Sequence, residues 1–318
     1  MGNQMSVVSR IHSAAFAQIE YAHVVAYFRR DLTNPIQLTQ CVTERLEDVP
    51  GEGEFALVIH SDVEVHEEGA SLKPLMDNFR RLSDGEQVKR VLVTRQRRDA
   101  EAKFVDYLWL VEYMAEEVYE VAQDDCRMVS TVRLNGFLPD VAKVNHDEDL
   151  KMFMSESSRG REASRDLLDD IVRLMCGCPE LYYLLVDIAP MEETGADGIY
   201  HPESHPHVSP RSPARDIEAK KWTRLREKRR DFVRGVFWGN YLGPEMLERL
   251  GGKESFRRRY IEKAKQEVLN WRSLVQDTPH GGLFVKISRD PLDEVDGRIG
   301  GELAVWLHDE FRRIGALL

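Results

Sequence analysis

The sequence predicts an α+β protein with mixed or antiparallel sheets packed with helices. Two observations carry this. Short β-rich runs such as Val88–Thr94, Tyr182–Ile188 and Leu283–Ile287 alternate with amphipathic helical stretches. Their spacing lacks the regular strand–helix–strand repeat of a doubly wound sheet. No phosphate-binding glycine loop, neither GxxxxGKS/T nor GxGxxG after a strand, is present.

The elements follow in order. Met5–Arg30 reads as a helix. Pro35 restarts the chain at a first helical position, and Ile36–Leu46 continues it. Val49–Gly53 is a turn, and Phe55–Val65 alternates as a strand or hairpin arm. Leu72–Leu82 is helical, and Val88–Thr94 is a strand. Asp99 N-caps a predicted long helix to Gln123, and Met128–Leu134 is a strand. A polar, helix-prone stretch opens at Asn145 and Asp147 and ends near Cys176-Gly-Cys-Pro179. Tyr182–Ile188 is a buried-type strand, followed by a long proline-rich loop over Pro190–Pro213. Asp216–Arg230 is a basic helix and Val233–Trp238 a strand. Pro244 opens a short helix that Gly251-Gly252 stops. Glu254–Val275 is a long helix, Leu283–Ile287 a strand, and Glu302–Ile314 a closing helix. These elements suggest two lobes. Residues 1–145 form an α/β lobe with an acidic helix, and 146–318 an α+β lobe containing the Pro/His loop 190–213.

With 318 residues, 42% apolar and 31% charged, the chain has the composition of a soluble globular protein with a sizeable core. Acids outnumber bases 55 to 44, for a formal charge of −11. That balance argues against a general binder of nucleic acid or anionic membrane, because both need a basic surface. The most apolar stretches, Phe104–Ala115 and Leu181–Ala189, are too short for a bilayer and carry acids. No apolar signal core opens the chain. Four cysteines, Cys41, Cys126, Cys176 and Cys178, suit a reducing cytoplasm.

Catalytic signatures are absent: there is no GxSxG elbow and no HExxH. No cofactor is expected and the chain does not read as an enzyme. One segment could hold zinc or nickel: His201-Pro-Glu-Ser-His205-Pro-His207 places three imidazoles close together. Its two prolines make it extended, and no partner motif completes a site; a flexible surface loop is the plainer reading. Residues 211–234 hold ten Lys/Arg against four acids and are the nucleic-acid candidate. The bases ring the helix rather than forming a stripe, so a solvated helix is the plainer reading. Cys176 and Cys178 are spaced too closely for the usual zinc or redox motifs, and read as a buried pair at a helix end.

Two acidic runs remain. Residues 44–68 and 99–125 each hold nine acids against one base. On the predicted 99–123 helix, Phe104, Leu108, Val111, Ala115, Val118 and Ala122 share the core face. The opposite face carries Asp106, Glu116, Glu117, Glu120 and Asp124, with Trp109 and Tyr113 among them. Either a second layer covers the two aromatics, or they are anchors inside an acidic rim. In the first run Asp62, Glu64, Glu67 and Glu68 are rim candidates. Such carboxylate density steers a basic partner.

The last third contains Val233-Arg-Gly-Val-Phe-Trp-Gly-Asn-Tyr-Leu-Gly243, then Pro244-Glu-Met-Leu-Glu-Arg-Leu-Gly-Gly252, then Gly281-Gly-Leu-Phe-Val-Lys-Ile-Ser-Arg-Asp-Pro291. This pattern resembles bacterial immunity proteins of polymorphic and type VI secretion toxin systems, most closely the immunity family numbered fifty-two. It covers chiefly residues 180–314, and its motifs are structural. The resemblance implies an α+β protein that binds and silences a cognate toxin, typically a restriction-endonuclease-like nuclease. Stoichiometric occlusion is the implied mechanism, without direct nucleic-acid or membrane binding. The acidic surface fits, because a nuclease cleft must be basic to hold phosphates.

Overall fold

The structure is a computed structural model. It describes residues 20–29, 32–47, 53–61, 64–82, 88–98, 104–115, 131–137, 166–190, 231–233, 235–267, 271–289 and 301–317. The fold is α+β, built on one ten-stranded sheet. Its strands are β1 (Glu20–Phe28), β2 (Glu54–His60), β3 (Glu64–Gly69), β4 (Arg90–Arg98), β5 (Phe104–Met114), β6 (Thr131–Phe137), β7 (Leu181–Pro190), β8 (Gly239–Leu242), β9 (Val275–Asp277) and β10 (Leu283–Lys286). The spatial order is β3-β2-β4-β5-β6-β1-β7-β8-β10-β9, and every neighbouring pair is antiparallel. The described helices are α1 (Pro35–Leu46), α2 (Leu72–Leu82), α3 (residues 166–176), α4 (Pro244–Arg249), α5 (Lys253–Glu267) and α6 (Gly301–Arg313).

Local chemistry explains several of these elements. Asn34 N-caps α1, its Oδ1 accepting from the Gln37 amide at 2.9 Å, and Pro35 takes the first helical position. Pro244 opens α4 in the same way. Gly251 and Gly252 stop α4 at φ 95° and 89°, a region costly for any residue with a Cβ. The Gly252 amide returns to the Leu247 carbonyl at 2.9 Å, satisfying an orphan acceptor of the helix end. Arg249 donates to the Ile314 carbonyl at 2.9 Å and also to the Asp231 carbonyl, tying α4 to the chain beyond α6.

Two predicted helices are strands. Within Met5–Arg30 the described part is β1, whose five consecutive residues Val24–Phe28 are all buried. A helix on a core buries one stripe; a central strand between β6 and β7 has both faces covered, which a Val-Val-Ala-Tyr-Phe run suits. Within 99–123 the described part is β5. Trp109, Val111, Tyr113 and Ala115 are buried at alternate positions and Glu112 between them is buried too, and the ladders to β4 and β6 pair the backbone of the strand. The apolar spacing also fitted a helical face, and the aromatic, β-branched run decided for a strand.

Two shorter revisions concern the last third. Residues 235–237 lie outside the ladder, and the Asn240 side chain satisfies Phe237 instead: Oδ1 accepts from its amide at 3.1 Å and Nδ2 donates to its carbonyl at 2.8 Å. The strand therefore starts at Gly239. The long helix expected over Glu254–Val275 is described to Glu267. Trp271–Leu274 then forms a 3₁₀ turn and Val275–Asp277 joins β10 as an edge strand.

The register links both ends of the chain through one row of residues. Leu57, Val93, Val111, Leu134, Val24, Val186, Gly239 and Lys286 lie opposite one another in turn across eight strands. β1 pairs with β6 on one side and β7 on the other, so the sheet is continuous between the two stretches read as lobes. α1 packs on β4 and β5 and α2 on β2 and β3, while α3 reaches β10 through the Asp169–Lys286 ion pair.

Candidate partner-binding surface

The two aromatic candidates are interior. Trp109 and Tyr113 are 1% and 0% exposed. The Trp109 ring packs tilted against Phe55 at 5.8 Å, on the face that α1 covers. Arg95 lies over the Phe55 ring at 5.3 Å and donates from Nη1 to the Glu47 carbonyl at 3.2 Å, closing the end of α1. A side chain sealed by α1 and the neighbouring strand cannot anchor a partner in this conformation, so the covered reading replaces the anchor reading. Asp106 is in β5, opposite Arg97 of β4 in the ladder, rather than on a helix face. Glu116, Glu117, Glu120, Asp124 and Asp62 lie outside the described residues.

The other acidic run is displayed on three elements. Glu44 and Glu47 are exposed at the C-terminal end of α1, and Glu54 is exposed at the start of β2. Glu64, Glu67 and Glu68 lie in β3, opposite His60, Leu57 and Ala56. β3 closes one end of the sheet. Glu44 Oε1 accepts from Gln40 Nε2 at 2.6 Å, and Glu68 Oε1 stands 3.8 Å from His66 Nε2. Acids at a helix C-terminus meet the negative end of the macrodipole, which the Gln40–Glu44 hydrogen bond within α1 offsets in part.

Sequence reasoning missed Glu112, which is buried in β5. Arg90 holds it, with Nη2 at 2.7 Å and Nε at 2.8 Å from Oε1. An acid set inside the apolar run Leu108–Met114 is the signal that could have found it. Two rows along, the backbone register sets His23 of β1 opposite both Asn135 of β6 and Asp187 of β7.

No catalytic constellation emerges among the described residues. No group of three or more His, Cys, Asp or Glu there is placed to hold a metal ion. The His201, His205 and His207 segment and the 211–230 part of the basic stretch lie outside the described residues. Cys176 is buried at the end of α3, with Cys178 half-buried beside it. Burial pushes the two thiols up to about 12 and about 11, so both are protonated at neutral pH and poor nucleophiles or metal ligands. A narrow cleft is lined by Tyr182, Tyr183, Tyr241, Phe232 and Met246. The Arg29–Glu245 ion pair crosses it at 3.0 Å. Burial pushes the Tyr241 phenol up to about 12. No described helix is long and apolar enough to cross a membrane.

No family model and no curated protein matches the sequence. Among solved structures, the chain is similar to the Pseudomonas aeruginosa T6SS protein PA0821. The similarity has a TM-score of 0.58 at 12% identity and covers 98% of this chain and 84% of that one. At that identity the likeness is one of overall fold.

Proposed function

We propose that the chain is an immunity protein of a type VI secretion system. It binds a cognate toxin in the cytoplasm and neutralises it by stoichiometric occlusion, without catalysis or a cofactor. The observation that carries this reading is the fold likeness to a T6SS protein over 98% of the chain. The sequence pattern of residues 233–252 supports it independently, through its resemblance to immunity proteins.

The toxin we infer is a nuclease with a basic cleft. A protein that grips phosphates must concentrate positive charge, and an inhibitor that covers that cleft gains from the opposite sign. Glu44, Glu47, Glu54, Glu67 and Glu68 supply that sign on α1, β2 and β3. Exposed carboxylates of this kind chiefly speed encounter and exclude wrong partners.

Co-expression with the toxin encoded beside this gene tests the proposal. Cells carrying both genes should survive and yield a complex on purification. Death of the co-expressing cells, with no complex recovered, would overturn it.

A further inference from the structure

We propose that β3 is a docking edge that takes an added strand from a basic partner. The identity of that partner as a toxin rests on the proposed immunity role; the edge itself does not.

The two ends of the sheet differ. At one end β9 has three residues, and its last, Asp277, is held by Lys253 Nζ and Arg257 Nη1, each at 2.8 Å. At the other end β3 has six residues, and among the described residues it pairs with β2 alone. Alternate N–H and C=O groups of such a strand point away from the sheet, as a template for another strand. α2 backs it, with Leu72, Leu75 and Met76 buried and Leu75 against Gly69, so the edge is formed before any partner arrives. A preformed edge lowers the ordering cost of strand addition.

Charge selects the occupant. The register sets Glu64, His66 and Glu68 on one face of β3, opposite His60, Val58 and Ala56. Glu67 is on the other face with Val65. His66 and Glu68 are well exposed, with side chains 55% and 43% accessible. A second copy of this chain, pairing β3 with β3, would set like carboxylates against each other, and like charges across strands destabilise. A strand with lysine at every second position would meet opposite charge instead. The same carboxylates that repel an acidic edge therefore admit a cationic one.

The probe is an alternating Lys/Val hexapeptide, offered to the full-length chain at low salt. Its controls are a hexapeptide of equal charge interrupted by proline, and an alternating Glu/Val hexapeptide. Hydrogen exchange and binding are measured together. The Lys/Val peptide should bind and slow exchange of alternate amides within 64–69. The proline form should bind about tenfold more weakly, because it cannot complete the ladder. The Glu64→Lys, Glu68→Lys double variant should also lose about tenfold, with the milder Glu68→Gln as a second variant should the first misfold. Equal binding by the proline form, protection elsewhere on the chain, or no binding of the Lys/Val peptide would overturn the proposal. The toxin separates the two readings. A toxin complex that leaves residues 64–69 unprotected sinks the docking edge and spares the immunity role. Failure to capture the toxin sinks the immunity role, while the peptides still decide the edge.

Discussion

The Tyr27 ring stacks on that of Tyr183, with centroids 5.7 Å apart and planes inclined by 25°, where the register of β1 and β7 sets the two residues opposite each other. Tyr27 is fully buried. β1 also carries the ladder to β6, so this one strand joins the segment up to Phe137 to the segment from Leu181 onward. The stack sits where that joint is made.

Tyr27→Ala should therefore destabilise the whole chain. Loss of a fully buried large aromatic costs about 3–5 kcal/mol. Chemical denaturation followed by tryptophan fluorescence and by circular dichroism should shift together. Trp109 and Trp238 report on opposite sides of the joint, so two separated transitions would show that the sheet is not one cooperative unit.

Lys286 is 1% exposed, ion-paired with Asp169 and 5.3 Å from the centre of the Trp238 ring. Asp169→Ala leaves that ammonium buried without its carboxylate, at a cost of about 3–5 kcal/mol. Lys286→Met together with Asp169→Leu should recover much of it, since an apolar pair of similar volume avoids both desolvation penalties. A double-mutant cycle in urea measures this. Additive losses would contradict the ion pair as the link between α3 and β10.

Gly239→Ala should be poorly tolerated, because a Cβ there would come within 2.4 Å of the Phe284 ring. Overpacking of this kind costs about 1–3 kcal/mol. Adding Phe284→Leu should relieve the clash, visible as a partial return of the melting temperature.

His308 sets a pH dependence. Burial first, and the Arg312 charge second, hold its imidazole below the usual range, while Asp309 opposes them at 3.9 Å. A group whose folded pKa is depressed contributes stability above its unfolded value, about 6.5, and that contribution fades as pH falls through the folded pKa. His308→Gln should flatten the decline in stability from neutral into mildly acid solution. An unchanged slope would show that His308 does not govern it.

Much of the fold was legible because its signals were local. α1 announces itself through Asn34-Pro35, α4 through Pro244 and Gly251-Gly252, and α2 through an apolar stripe bounded as the structure bounds it, at Leu72 and Leu82. β1 and β5 were not legible, because their identity comes from neighbours distant in sequence. Val24–Phe28 is paired between β6 and β7, and Trp109 packs on Phe55 of β2, all distant in sequence. The same distance hid the Arg90–Glu112 pair and the Asp169–Lys286 link. The acids of residues 44–68 were readable as surface, but only the topology shows that three of them lie on an edge strand.

The immunity role is tested most directly by titration. A candidate nuclease toxin, purified alone, is assayed for cleavage of DNA and RNA while the full-length chain is added in steps. Cleavage should fall linearly and stop at one chain per toxin. Undiminished cleavage with the chain in large excess would contradict it.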